Sequence, residues 1–183
     1  MVKKVDIDTK SKVFALFLDS PKRSYHLREV ARVVAISPRT AKKYLAALLA
    51  DGMLVKEKEK IYENYRANRQ SLGFKDWKTF HTIRKLRGCG VIEFLESRFN
   101  YPAIILYGSA SRGEDDEGSD TDLFVVTKTR EKDVDVSAFS KKFGRTIHIM
   151  LMEEGEFQSA RNKELLNNII NGAVISGFLE AFK

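Results

Sequence analysis

Apolar residues recur at helical spacing over the first fifty positions. Val13, Phe14, Phe17 and Leu18 lie three and four apart and predict a helix over residues 8–19, which Ser20-Pro21 ends. A short second helix over residues 26–34 turns Leu27, Val30 and Ala31 inward. In the third, Ala41, Tyr44, Leu45, Leu48 and Leu49 follow the i, i+3, i+4, i+7, i+8 pattern. Ser37 is its N-cap, Pro38 suits its first position, and Asp51-Gly52 stops it. Residues 53–55 and 61–67 then read as a hairpin around the charged tip Lys56-Glu57-Lys58-Glu59-Lys60.

A connecting helical segment covers residues 72–99. Phe74, Trp77, Phe80, Ile83 and Leu86 recur every three residues and predict one packed stripe, with Trp77 and Phe80 in the core. Residues 87–90 interrupt it. Val91, Phe94, Leu95 and Phe99 form the stripe of the next helix, which Asn100 and Pro102 terminate. Ala103–Tyr107 reads as a buried strand, residues 120–126 as a second and residues 145–150 as a third. A helix over residues 164–171 and an apolar end packed on the sheet complete the chain.

Composition narrows the class. The 183 residues are 43% hydrophobic and 31% charged, enough apolar content for a packed core and too much for wholesale disorder. The longest apolar run, Tyr44 to Ala50, is far shorter than the ~20 residues a membrane span needs. No secretory signal is visible, and a cytoplasmic protein is expected. The single cysteine, Cys89, excludes an intrachain disulfide and a multi-cysteine zinc site, and reads as a small buried residue.

Charge divides the chain. Residues 1–99 carry a net +11 and residues 100–183 a net −4, which together give the formal +7. Such asymmetry suggests two modules with different partners. In the first, Arg39, Thr40, Lys42 and Lys43 occupy the polar face of the third helix, near its capped start at Ser37. Helices, turn and basic hairpin together resemble the winged-helix family of DNA-binding domains over about residues 8–69. The resemblance implies double-stranded DNA as partner, read through Ser37, Arg39, Thr40, Lys42 and Lys43, with Lys58 and Lys60 on the wing. Dimerisation or protein contact is the alternative use of the same elements.

The acidic half carries the chemistry. Gly108 allows close backbone approach to a phosphate, and Ser109 offers a hydroxyl and an amide at a strand-to-helix junction. Asp120 and Asp122 sit two apart on a strand, so both side chains leave one face, while Thr121 and Leu123 point to the core. Paired carboxylate oxygens there can hold Mg2+ against a triphosphate. The acidic run Glu114 to Glu117 reads as a solvated loop.

The pattern Gly108-Ser-x-x-Arg-Gly-Glu followed by Ser119-Asp-x-Asp-Leu closely resembles the nucleotidyltransferases of the DNA polymerase beta superfamily, most nearly their minimal domains, over about residues 85–183. That resemblance implies that Gly108 and Ser109 hold nucleotide phosphates. Asp120 and Asp122 would bind the divalent metal, Mg2+ or Mn2+. Ser119 and Arg112 would shape the loop or the phosphate end of the site. The family has a third carboxylate on a later strand; here His148 stands at that position, as a metal ligand, a proton acceptor or a partly buried strand histidine.

The expected fold class is α+β: an N-terminal winged helix-turn-helix (residues 1–69) followed by a helical linker and a small mixed-sheet, polymerase beta-like nucleotidyltransferase domain (residues 70–183). Three functions follow from it. One is transfer of a nucleoside monophosphate from an NTP to an acceptor hydroxyl. A second is a DNA-binding regulator whose nucleotidyltransferase domain only binds nucleotide or has lost activity through His148. The third is an antitoxin-like partner of another protein, with a homodimer also open.

Overall fold

The computed structural model describes residues 9–59, 62–129, 131, 133–159 and 162–179. The chain divides into two compact units between Trp77 and Lys78. The sequence pattern sets the division eight residues earlier, after Arg69; Phe74 shifts it, because its ring is fully buried in the core of the first unit.

The first unit comprises α1 (Thr9–Asp19), β1 (Tyr25–His26), α2 (Leu27–Val34), α3 (Pro38–Ala50), β2 (Leu54–Glu59) and β3 (Tyr62–Ala67), with the start of α4 (Leu72–Cys89). Val13, Phe14, Phe17 and Leu18 of α1 pack with Ala41, Leu45 and Leu48 of α3, as their spacing requires. Ala35 adopts φ +58° and closes α2, so the chain can turn directly into α3. Ser37 Oγ accepts from the Thr40 amide at 3.1 Å, the expected N-cap. The strands form an antiparallel sheet in the order β1-β3-β2. The sequence pattern does not predict β1, since two residues carry no periodicity.

The second unit adds α5 (Val91–Phe99), β4 (Ala103–Tyr107), β5 (Thr121–Thr127), α6 (Ser137–Phe143), β6 (Ile147–Glu153), α7 (Glu154–Ser159), α8 (Lys163–Ile170) and β7 (Ala173–Ser176). Its four-stranded sheet runs β6-β5-β4-β7 and is mixed: β4 is antiparallel to β5 and β7, while β5 and β6 are parallel. The sheet is covered on both faces. Leu86, Val91, Ile92, Leu95, Ile104, Leu106, Leu123 and Val125 form one layer, and Ile105, Phe124, Phe157 and Ile169 the other. That explains the uninterrupted apolar runs in β4 and β5, where neither face meets water. A parallel pair needs a crossover, and α6 supplies it. The sequence pattern does not predict α6 or α7, because six- and seven-residue helices show too few turns for a period. Cys89 is buried, with Sγ 3.2 Å from the Leu86 carbonyl. No helix among the described residues is long and apolar enough to cross a membrane.

The expectation for Trp77 and Phe80 is corrected. Phe74 and Leu86 are fully buried, but Trp77 and Phe80 are each 49% exposed. A helix advances about 100° per residue, so positions three apart step back about 60° each time and five of them wind round most of the cylinder. Phe74→Ala should therefore lower the unfolding free energy by about 3–5 kcal/mol. Phe80→Ala should cost a small fraction of that. Urea unfolding of both variants checks the difference; equal losses would contradict the assigned burial.

Candidate active site

The turn after β4 is built for close approach. Gly108 has φ +73°, a conformation that side-chain-bearing residues rarely adopt, and a Cβ there would lie 3.0 Å from Asp122 Oδ2. Antiparallel pairing of β4 and β5 sets Tyr107 directly opposite Asp122, which brings the turn and the carboxylate together. The Ser109 carbonyl accepts from the Arg112 and Glu114 amides at 3.2 and 3.0 Å, and Ser111 Oγ donates to the Gly108 carbonyl at 2.9 Å. Residues 110–112 thus wind into a single 3-10 turn after the strand, shorter than the helix a strand-to-helix junction would give. Ser109 makes no side-chain cap to that turn. Arg112 is half-exposed and pairs with Glu114 at 3.1 Å.

Ser119 belongs to the loop before β5. Its Oγ accepts from the Asp116 amide at 3.0 Å and donates to Asp116 Oδ1 at 3.2 Å, while Asp116 Oδ1 also accepts from the Gly118 amide. Thr121 and Leu123 are fully buried, so Asp122 projects from the opposite face of β5. Asp120, one residue before the strand, is exposed.

His148 joins the two aspartates. Parallel pairing sets it directly beside Asp122 on β6, and its Nε2 lies 3.4 Å from Asp120 Oδ2. The ring is 58% exposed, so the expectation of a partly buried strand histidine is set aside. Tyr107, Asp122 and His148 form one transverse row across three neighbouring strands. Sequence reasoning missed Tyr107, although its place immediately before Gly108 could have marked it. Burial lifts the Asp122 carboxyl above the usual carboxylate range; His148 pulls it down, and Asp120 pushes it up again. Burial and the Asp122 charge together raise the Tyr107 phenol.

Two carboxylates and one imidazole therefore neighbour one another at the N-terminal end of β5. Carboxylate oxygens suit a hard divalent cation, and a cation there would relieve the mutual repulsion of Asp120 and Asp122. Among the described residues no cluster of three or more His, Cys, Asp or Glu side chains has metal-binding geometry. Glu153 ends β6 five residues beyond His148, roughly 16 Å along the strand, and supplies no third carboxylate.

The acidic loop is not simply solvated. Asp115 is fully buried; its Oδ2 accepts from Lys78 Nζ at 2.9 Å and from the Arg145 guanidinium at 2.6 Å. Acidic spacing in the sequence gives no sign of this, because both partners are distant along the chain.

On the face expected to meet DNA, Arg39, Lys42 and Lys43 are exposed on α3. Ser37 and Thr40 share a hydroxyl hydrogen bond of 2.8 Å within the cap. On the hairpin, Lys56 pairs with Glu63 at 2.9 Å and Arg66 with Glu57 at 2.7 Å. Lys58 is placed opposite Glu63 by strand register, and Lys60 lies outside the described residues.

The raised Asp122 carboxyl carries a stability prediction. Its proton is held more tightly folded than unfolded, so the wild type is relatively favoured below the ordinary carboxylate range and loses that advantage as pH rises through the raised folded value. Asp122→Asn removes the ionisation, so it should melt higher than wild type at neutral pH. The difference should shrink as pH falls towards and below the ordinary range. Calorimetric melting between acid and neutral pH checks this; a neutral-pH loss of stability would contradict it.

Comparison with known families bears on the same region. No curated protein matches the chain. Residues 89–174 match the family model described as a nucleotidyltransferase domain, a span that contains the Gly108–Ser109 turn, Asp120, Asp122 and His148.

Proposed function

We propose that the second unit transfers a nucleoside monophosphate from an NTP to an acceptor hydroxyl, and that the first unit binds double-stranded DNA. The observation that carries the transferase reading is the closure of the Gly108 turn onto Asp122 beside Asp120, inside the matched segment. The acceptor oxygen attacks the α-phosphorus, the α–β phosphoanhydride breaks, and pyrophosphate leaves. Gly108 and Ser109 would seat the triphosphate, with backbone approach allowed by the missing Cβ. Asp120 and Asp122 would hold a divalent ion, Mg2+ or Mn2+. Such an ion, when bound, supplies charge neutralisation for the phosphates and polarises the reacting oxygens. Ser119 fixes the loop that delivers Asp120. Arg112, held by Glu114, stays at the rim. His148 Nε2 faces Asp120, and its imidazole is the side chain there that would take the acceptor proton.

The DNA reading rests on α3. Arg39 and Lys42 make no ion pair among the described residues, whereas hairpin cations Lys56 and Arg66 are matched to glutamates. Order of elements, capped third helix and hairpin support a winged-helix arrangement with α3 in the major groove.

His148 in place of a third carboxylate favours one second reading: a DNA-bound regulator whose transferase site binds nucleotide without turning it over. Incubating the protein with each labelled NTP and Mg2+ or Mn2+, with and without cell extract, separates the two. Label transfer lost in Asp120→Ala and Asp122→Ala is expected for the enzyme; nucleotide binding without transfer would establish the regulator instead. For DNA, replacing Lys42 and Lys43 by alanine should weaken duplex binding and reduce the salt slope by about one for each phosphate the protein no longer neutralises. A slope that does not move would take α3 out of the interface.

A further inference from the structure

Lys78, Asp115 and Arg145 form a buried charge triad outside the transferase motif. Lys78 is 1% exposed and the Asp115 side chain fully buried, with the Arg145 side chain only 12% exposed. Buried ion groups lose much hydration, and apolar replacements of similar volume often serve stability equally well. Burial alone is therefore weak evidence for a stabilising role, and what the three charges connect is the more informative feature.

Arg145 carries those connections. Its guanidinium donates to Asp115 Oδ2 at 2.6 Å and to the Asp116 carbonyl at 2.8 Å. The carbonyl of the next residue, Thr146, accepts from the Thr121 amide at 3.0 Å. Adjacent residues immediately before β6 thus pin both ends of the segment from Asp115 to Thr121. Within it, Asp116 bonds to Gly118 and Ser119 and closes the loop on itself. Asp120 is left as the single residue between that closed loop and the pinned strand. Three residues beyond Arg145, β6 presents His148 to Asp120.

We infer that Arg145, seated by Asp115 and Lys78, is a positioning residue that sets Asp120 against His148 and Asp122. It touches no reacting atom. The inference extends the proposed transferase reading, since its kinetic consequence depends on that activity, but the geometric claim stands on its own readout.

Histidine-selective 15N labelling of the full chain provides that readout, because only His26, His81 and His148 contribute imidazole signals. Asp120→Asn gives the reference for a His148 ring without its carboxylate. Arg145→Met leaves Lys78 and Asp115 as a one-to-one pair. It should move the His148 imidazole resonances towards the Asp120→Asn positions while His26 and His81 keep theirs. Arg145→Lys retains the charge but not the planar guanidinium whose Nη1 donates to both carboxylate and carbonyl, and should move them part of the way. In the transfer assay the Mn2+ concentration for half-maximal rate should rise about tenfold in Arg145→Met, with the KM for NTP changed much less. His148 resonances that stay in place in folded Arg145→Met would overturn the inference. If that variant does not fold, unmoved resonances in Arg145→Lys would do so. Absence of transfer in the wild type would defeat the transferase reading alone and leave the His148 test to decide this one.

Discussion

Everything in the second unit turns on the pairing of β5 with its two neighbours. On one side, antiparallel register with β4 sets Tyr107 opposite Asp122 and lets the next residue, Gly108, bend back onto that carboxylate. On the other, parallel register with β6 sets His148 beside the same carboxylate. A slip of one residue in either ladder would turn Asp122 into the layer of Leu86 and Leu95 and bring Leu123 out. The register is held because Leu123, Phe124 and Val125 are buried on both faces, so hydrophobic packing fixes where the site stands.

The price of that location is electrostatic. Asp122 is half-buried and close to Asp120, and the His148 imidazole stands against the pair. A packed strand end that concentrates negative charge is a poor place for stability and a suitable one for a cation. In the same loop, the fully buried Asp115 is matched by two cations, whereas the exposed Asp120 faces a single imidazole.

Much of this was legible in residue order. The period of α1 and α3, the cap at Ser37 and the apolar run of β4 each correspond to a local physical rule, and the structure follows them, whereas β5 begins at Thr121 and leaves Asp120 one residue before the strand. The failures have physical causes too. A spacing of three imitates a stripe but rotates round α4, which is why Trp77 and Phe80 lie half-exposed. Short helices such as α6 leave no periodic trace. The triad joins positions 78, 115 and 145, and no local pattern in an acidic loop can reveal partners so distant. His148 was legible as a departure from an expected carboxylate, but its exposure and its approach to Asp120 depend on the β5–β6 register.

The contrast between Asp122 and Arg112 has a bearing on how such a site can change. Asp122 emerges from a strand whose neighbours are wholly enclosed, whereas Arg112 and Glu114 pair with each other in solvent on a single turn. Substitutions at the rim leave the packed layers untouched, so they can alter what approaches the site with little effect on folding. Substitutions in β5 disturb both layers at once. Change at the Arg112–Glu114 rim therefore costs folding less than change in the carboxylate-bearing strand.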